Sequence, residues 1–164
     1  MTDDDLAIAE LIARIEEQER RLIFPHFDND DAWRLGNLLA ELARARLAPV
    51  TIDIRRNGQQ LFHLALPGTS ADNDAWIQRK VRTVERYGHS SYLVGRRCVA
   101  KGTTFEQSSR LDPDTYAAHG GAFPITLAGT GPIGTVAVSG LPQGEDHDLV
   151  VAALERYLNA PSKD

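Results

Sequence analysis

The chain has 164 residues, 42% of them hydrophobic and 25% charged, which is enough for one domain with a buried core that needs neither disulfides nor a structural metal. Its 23 acidic and 18 basic side chains give a formal net charge of -5, whereas a nucleic-acid-binding surface requires a basic stripe. Cys98 is the single cysteine, so an intramolecular disulfide and a cysteine-rich metal site are excluded. We therefore expect one domain over residues 1–164 that does not bind nucleic acid.

The sequence also argues against a membrane-spanning segment. No apolar run approaches the roughly 20 residues that a membrane-spanning helix needs. The acidic start Met1–Asp5 differs from the basic start of a signal peptide. These features predict a cytoplasmic protein without a membrane partner.

The first third of the chain predicts two helices and a hairpin. An apolar stripe of helical spacing begins near residue 5, and the segment ends by Pro25 with a short strand over residues 22–24. A second helix is predicted from cap residues at 28–30 to about Leu47. Alternating residues at 50–55, the dipeptide Asn57-Gly58 and a returning strand over 61–66 then predict a β-hairpin with a type I′ turn.

The rest of the chain predicts three more helices and a second hairpin. Gly88 ends a helix that contains Trp76, and the next helix starts at Ser90 or Ser91 and stops at Gly102. After a loop with one helical turn near residues 111–114, strands over 123–128 and 133–138 precede a final helix. Because hairpins replace regular strand-helix alternation, the expected fold class is α+β, with helices packed on an antiparallel sheet.

Glycines flank the second hairpin on both sides, where they allow a ligand or another backbone to approach closely. Two adjacent strands of one hairpin place the segment before the first strand and the segment after the second at the same end of the sheet. We therefore predict a ligand site there, in which the two histidines are near neighbours. It consists of His119, Gly120, Gly121, Gly140, Gly144 and His147. In the alternative interpretation, these glycines serve only tight turns.

The common catalytic motifs are absent. There is no Walker loop, and Gly129-x-Gly131-x-x-Gly134 lies inside a hairpin instead of at a strand-to-helix turn. The hydrolase elbow Gly-x-Ser-x-Gly is also missing, and Cys98 lies in a helical segment with no histidine near it in sequence. Nucleophilic catalysis is therefore unsupported, and the sequence predicts no metal site.

Several polar residues have an ordinary structural interpretation. His26, His63 and His89 are expected to be structural. The acids that surround His147 are typical of a helix start, and this interpretation is preferred to an acid/base role. The basic residues of the middle helices are typical of a solvated face, or of a face toward a partner subunit or a carboxylate: Arg79, Lys80, Arg82, Arg86, Arg96, Arg97 and Lys101.

Four blocks in order along the chain resemble the haem-degrading-domain family, also called GlcG/HbpS-like, and within it the short single-domain cytosolic branch. The blocks are Pro67-Gly68 through Val81, Gly88-His89-Ser90-Ser91, His119 through Ile125, and Gly134 through Asp148. The resemblance implies a profilin-like fold with a five-stranded antiparallel sheet, assembled into closed homo-oligomers. Aromatic residues on helices outside the hairpins also favour subunit contacts, the alternative being that they fill the core: Trp33, Trp76, Tyr87 and Tyr92.

The resemblance also implies a haem-related function, because some relatives bind or degrade haem. Others are fused to cobalamin-processing enzymes or are found with glycolate-utilisation genes, so function varies more than fold. Tyr116, His119 and Cys98 are residue types that ligate haem iron, and without Cys-x-x-Cys-His any haem is held non-covalently. Two functions stay open: haem binding or degradation, and a non-catalytic oligomeric scaffold for a protein partner or a small metabolite.

Overall fold

A computed structural model of the chain describes residues 1–160; residues 161–164 of the predicted domain lie outside this range. The described elements are, in chain order, α1 (Asp3–Arg21), β1 (Ile23–Phe24), α2 (Asn29–Ala45), β2 (Thr51–Arg56), β3 (Gln59–Ala65), α3 (Ala71–Tyr87), α4 (Ser91–Ala100), α5 (Phe105–Ser109), β4 (Ala122–Leu127), β5 (Gly131–Ser139) and α6 (Gln143–Asn159). The predicted α+β class, a central sheet of five strands flanked by helices, is confirmed.

The sheet has the strand order β1-β4-β5-β2-β3. Both predicted hairpins are present, and β5 joins them by pairing antiparallel with β4 and β2. The first hairpin turns at Asn57 and Gly58, whose φ angles of 51° and 80° fit the predicted type I′ turn. The expectation of a wholly antiparallel sheet was wrong at one edge, where β1 pairs parallel with β4. No hairpin turn fixes the direction of β1, because α2, the β2–β3 hairpin and α3 to α5 separate it from β4 along the chain.

Helices cover both faces of the sheet. On one face α2 and α6 pack over the main apolar core, which includes Ile52, Ile54, Phe123 and Val138. On the other face α3 packs over Ala122 and Ala137, and α4 joins α3 to α1. Burial on both faces explains why residues 51–54 and 122–125 are all inaccessible to solvent.

The predicted loop after α4 contains a short helix that the sequence pattern does not predict. Helix α5 lies directly after α4, and Thr104 caps it by accepting a hydrogen bond from the Gln107 amide at 3.1 Å. The predicted helical turn is present next to it, since the amide of Tyr116 donates to the carbonyl of Asp112 at 3.0 Å. Helix α5 contributes Phe105 to a small apolar cluster outside the main core.

Candidate functional site

A polar cleft of about 250 Å³ opens where α3 crosses the ends of the second hairpin. Three segments form it: the first half of α3, the residues before β4, and the residues from the end of β5 into α6. Its principal side chains are Asn73, Trp76, Lys80, His119, Gln143 and Asp146. The convergence of the two hairpin ends is as predicted, since the Gly120 amide donates to the side-chain oxygen of Gln143 at 3.2 Å.

His119 stands at the mouth of this cleft and is exposed. Its ring packs against Trp76 with a centroid distance of 5.1 Å, and the Arg79 guanidinium lies 4.0 Å from the centroid of the Trp76 ring. Partial desolvation, and then the positive charge of Lys80, lower the pKa of His119 below its usual value. His119 is therefore a neutral imidazole near pH 7, the form that ligates metals.

Lys80 forms the floor of the cleft and is 2% exposed. Its ammonium donates to the carbonyls of Val138 at 2.7 Å and Gly120 at 3.0 Å, and it lies 3.4 Å from Asp146. The assignment of this lysine to a solvated basic face was therefore wrong, because it projects from the buried stripe of α3. Burial lowers the pKa of Lys80, and the Asp146 carboxylate opposes that effect.

Asp146 is the counter-ion of Lys80 and also holds the loop after β5. Its carboxylate accepts hydrogen bonds from the amides of Leu141 at 2.9 Å and Gly140 at 3.3 Å. Burial raises the pKa of Asp146, and the charge of Lys80 counteracts part of that shift. The expected role of this acid as a cap for the final helix is replaced by these contacts, since α6 begins after Pro142 without a side-chain cap.

The predicted site glycines allow close approaches around the cleft. A β-carbon at Gly120 would overlap the carbonyl of Gln143, and one at Gly140 would overlap the carbonyl of Pro49. Gly121 lies against Lys80, and Gly144 faces the Tyr92 hydroxyl. Gly120 and Gly140 line the cleft itself, whereas Gly121 and Gly144 lie behind its surface.

His147 does not line the cleft, although it belongs to the same end of the hairpin. Its ring is 1% exposed and packs against Tyr92 and Phe123 at centroid distances of 5.0 and 5.9 Å. Nε2 lies 2.8 Å from the side-chain oxygen of Gln18, and Nδ1 has no hydrogen-bond partner among the described residues. Desolvation, assisted by the positive charge of Arg14, lowers the pKa of His147 to about 4.

This burial predicts an acid-sensitive fold. The folded-state pKa of about 4 lies below the ordinary value of 6.5, so the contribution of neutral His147 is complete above pH 6.5 and is lost as the pH falls toward 4. We expect protonation to remove about 3 kcal/mol of unfolding free energy over that range. Urea unfolding of wild type and His147→Phe at pH 7, 5 and 4 measures this loss of unfolding free energy. His26→Ala is the control, because the His26 side chain is exposed. Equal acid sensitivity of wild type and His147→Phe would contradict the prediction.

The described residues contain no group of three or more histidine, cysteine, aspartate or glutamate side chains arranged to hold a metal ion. Over the same residues, no helix is long and apolar enough to cross a membrane. The three histidines predicted to be structural each contact one carboxylate: His26 with Asp31 at 3.3 Å, His63 with Asp74 at 2.7 Å and His89 with Glu19 at 2.7 Å.

The fold and the cleft define a small α+β domain with a polar, ligand-sized opening at one end of its sheet. Residues 27–155 match the family described as "Haem degrading protein HbpS-like", and the chain belongs to this HbpS-like family. The resemblance inferred from the sequence blocks is thereby confirmed.

The relatives and the solved structures agree with this membership. A UPF0303 protein from Streptomyces avermitilis is 71% identical over 150 residues, which cover 92% of each chain. The crystal structure of Ybr137w protein has a TM-score of 0.83 and 36% identity, and the match covers 90% of this chain and 87% of that one. The crystal structure of a PduOC:haem complex has a TM-score of 0.68 over 84% of this chain and 99% of that one. Its identity of 18% shows a shared fold alone.

Proposed function

We propose that this protein binds haem non-covalently at the mouth of the cleft, with His119 as the iron ligand. The observation that carries the proposal is the exposed, neutral imidazole of His119 packed on Trp76. Membership of the HbpS-like family and the haem complex of PduOC support it. Bound haem would supply redox-active iron.

The residues around His119 fit one end of a haem molecule. The Arg79 guanidinium above Trp76 offers a cation for a propionate, and Trp76 offers an aromatic face for the macrocycle. The cleft volume of about 250 Å³ lies below the roughly 300–1,000 Å³ of pockets that enclose drug-sized ligands. Haem would therefore rest against the rim instead of being enclosed.

A haemin titration tests this function. We expect a shifted Soret band that saturates at one haemin per chain, and roughly tenfold weaker binding by His119→Ala, because loss of one ligand bond costs at least about 1.4 kcal/mol. His26→Ala is the matched control, since His26 is an exposed histidine outside the cleft. Unchanged binding by His119→Ala would reject this residue as the ligand, and the absence of a saturable shift would reject haem. A reductant added in air then separates binding from degradation, which bleaches the Soret band.

The second candidate is a non-catalytic assembly that binds a small polar metabolite inside the cleft. The observation that favours it is the lining, in which Asn73, Ser139 and Gln143 present amide and hydroxyl groups around a small volume. Binding of a small polar metabolite without any haemin shift would support this reading.

We also propose that the chain forms a homo-oligomer. Trp33 projects from α2 with 63% of its surface exposed, and aromatic residues are enriched at subunit contacts. Of the other aromatic residues predicted for this role, Trp76 and Tyr92 pack against the two site histidines, and Tyr87 is 39% exposed. Light scattering should give a multiple of the monomer mass, and Trp33→Ser should shift the assembly toward smaller species. A monomer over a wide concentration range would contradict the proposal.

A further inference from the structure

A second cavity, of about 310 Å³, lies between the end of α3, helix α4 and helix α5. It is separate from the cleft, because the two share no lining residue. The side chains that define its character are Tyr87, Val94, Arg97, Cys98, Lys101 and Phe105.

One wall of this cavity is apolar and aromatic. Phe105 is 6% exposed and belongs to a buried cluster with Val94, so it forms a fixed surface. The Tyr87 ring meets Phe105 edge to face at a centroid distance of 6.0 Å, and 39% of Tyr87 is exposed. A flat aromatic ligand would find a hydrophobic floor at Phe105 and an accessible ring at Tyr87.

Another part of the lining is basic, although the chain as a whole is acidic. Arg97 and Lys101 lie one helical turn apart, and none of the described residues that line the cavity is an aspartate or a glutamate. The Glu106 carboxylate lies outside the lining but close enough to act on Cys98. Lys101 has no carboxylate within 4.0 Å among the described residues, and Arg97 has only Glu16 at 3.5 Å. His89, which also lines the cavity, is held by Glu19. The cavity is thus lined by two cationic side chains, Arg97 and Lys101, and among the described residues only Arg97 has a carboxylate partner within 4.0 Å.

A hydroxyl group adds a directed donor. Ser109 lines the cavity, and its Oγ accepts a hydrogen bond from the Leu111 amide at 3.1 Å, which leaves the hydroxyl proton able to donate. An oxygen atom of a ligand would accept a hydrogen bond from the Ser109 hydroxyl. The cavity therefore combines an aromatic floor with cationic and hydroxyl donors.

We propose that this cavity is a binding site for a small aromatic carboxylate. The aromatic body packs against Phe105 and Tyr87, while the carboxylate pairs with Arg97 and Lys101. The volume of about 310 Å³ limits the ligand to one or two fused rings. This site is independent of the proposed haem function, since its residues lie outside the cleft.

Cys98 makes the proposal directly testable because it lines the cavity and is the single cysteine of the chain. The probe is naphthoate, which is fluorescent and carries one carboxylate, and the neutral control ligand is naphthylmethanol. The first measurement is the rate of Cys98 alkylation with each ligand at alkaline pH, since burial raises the pKa of this thiol. The second is a fluorescence titration with naphthoate, which does not depend on the thiol.

We expect naphthoate to slow the alkylation of Cys98 and to bind the intact protein at least tenfold more tightly than naphthylmethanol. The double variant Arg97→Gln/Lys101→Gln should lose at least tenfold in naphthoate affinity, because both charge-assisted contacts are removed. Arg20→Gln is the control, as Arg20 is an exposed arginine of α1 outside the cavity. Equal affinity for the two ligands, an unaffected double variant, or no saturable naphthoate binding would each overturn the proposal.

Discussion

Replacing Asp146 by asparagine is expected to lower the free energy of unfolding by about 3–5 kcal/mol, the range observed when one partner of a buried ion pair is removed. The carboxylate is buried with Lys80, and the amide would leave that ammonium without a counter-ion. Gly140 and Leu141 donate to different oxygens of the carboxylate, so the asparagine NH2 group would also face one of these two backbone amides. Urea unfolding at pH 7 measures the effect.

Asp148→Asn is the matched control, because Asp148 is an exposed acid two residues further along α6. It should change the unfolding free energy by no more than about 0.5 kcal/mol. An equal effect of the two substitutions would contradict the assigned role of the buried pair.

An apolar replacement of the pair provides a second test. Buried ion pairs can often be replaced by hydrophobic residues at little cost. Here the double variant Lys80→Met/Asp146→Leu should still be less stable than wild type, because the Lys80 ammonium also donates hydrogen bonds to the carbonyls of Gly120 and Val138. Those carbonyls, and the amides that donate to Asp146, would remain buried without partners. Wild-type stability of the double variant would show that these backbone contacts contribute little.

The elements predicted from sequence are the ones that local chemistry determines. The Asn57-Gly58 turn, the Gly88 helix end and the strand β2 are each specified within a few residues, and each is present. The direction of β1 and the existence of α5 were not predicted. Both elements are short and depend on contacts with distant parts of the chain, which local patterns do not contain.

The meeting of the hairpin ends was also predictable, but the roles of individual side chains were not. Lys80 was grouped with its basic neighbours, although it has helical spacing from buried residues at 77, 81 and 84. His147 likewise shares a stripe with Val150, Val151 and Leu154. In both cases the position on the apolar face was the usable signal, whereas residue type suggested a solvated or ligand-binding group. Whether His119 and the glycines of this region bind a ligand stays a prediction.

Gly121 lies at a constrained backbone position beside the cleft. Its φ of 132° belongs to a region that residues with a β-carbon rarely adopt. A β-carbon built there would overlap the Lys80 ammonium and the carbonyl of Val138. The Gly121 carbonyl meanwhile accepts from the Val138 amide at 2.9 Å, so the segment cannot move away without losing a hydrogen bond at the start of the hairpin.

Gly121→Ala is therefore expected to lower the unfolding free energy by about 2–6 kcal/mol, the sum of backbone strain and overpacking of roughly 1–3 kcal/mol each. Gly129→Ala is the matched control, because Gly129 has a positive φ of 76° in the turn of the same hairpin but no atom within 4 Å of a built β-carbon. The control should cost only the left-handed strain of about 1–2 kcal/mol. Urea unfolding of both variants separates backbone strain from overpacking. An equal loss of unfolding free energy in the two variants would mean that Lys80 and Val138 move aside for the added methyl group at no cost.

Because the methyl group would displace the Lys80 ammonium, Gly121→Ala should also weaken the binding of any ligand held in the cleft, whereas Gly129→Ala should leave that affinity unchanged.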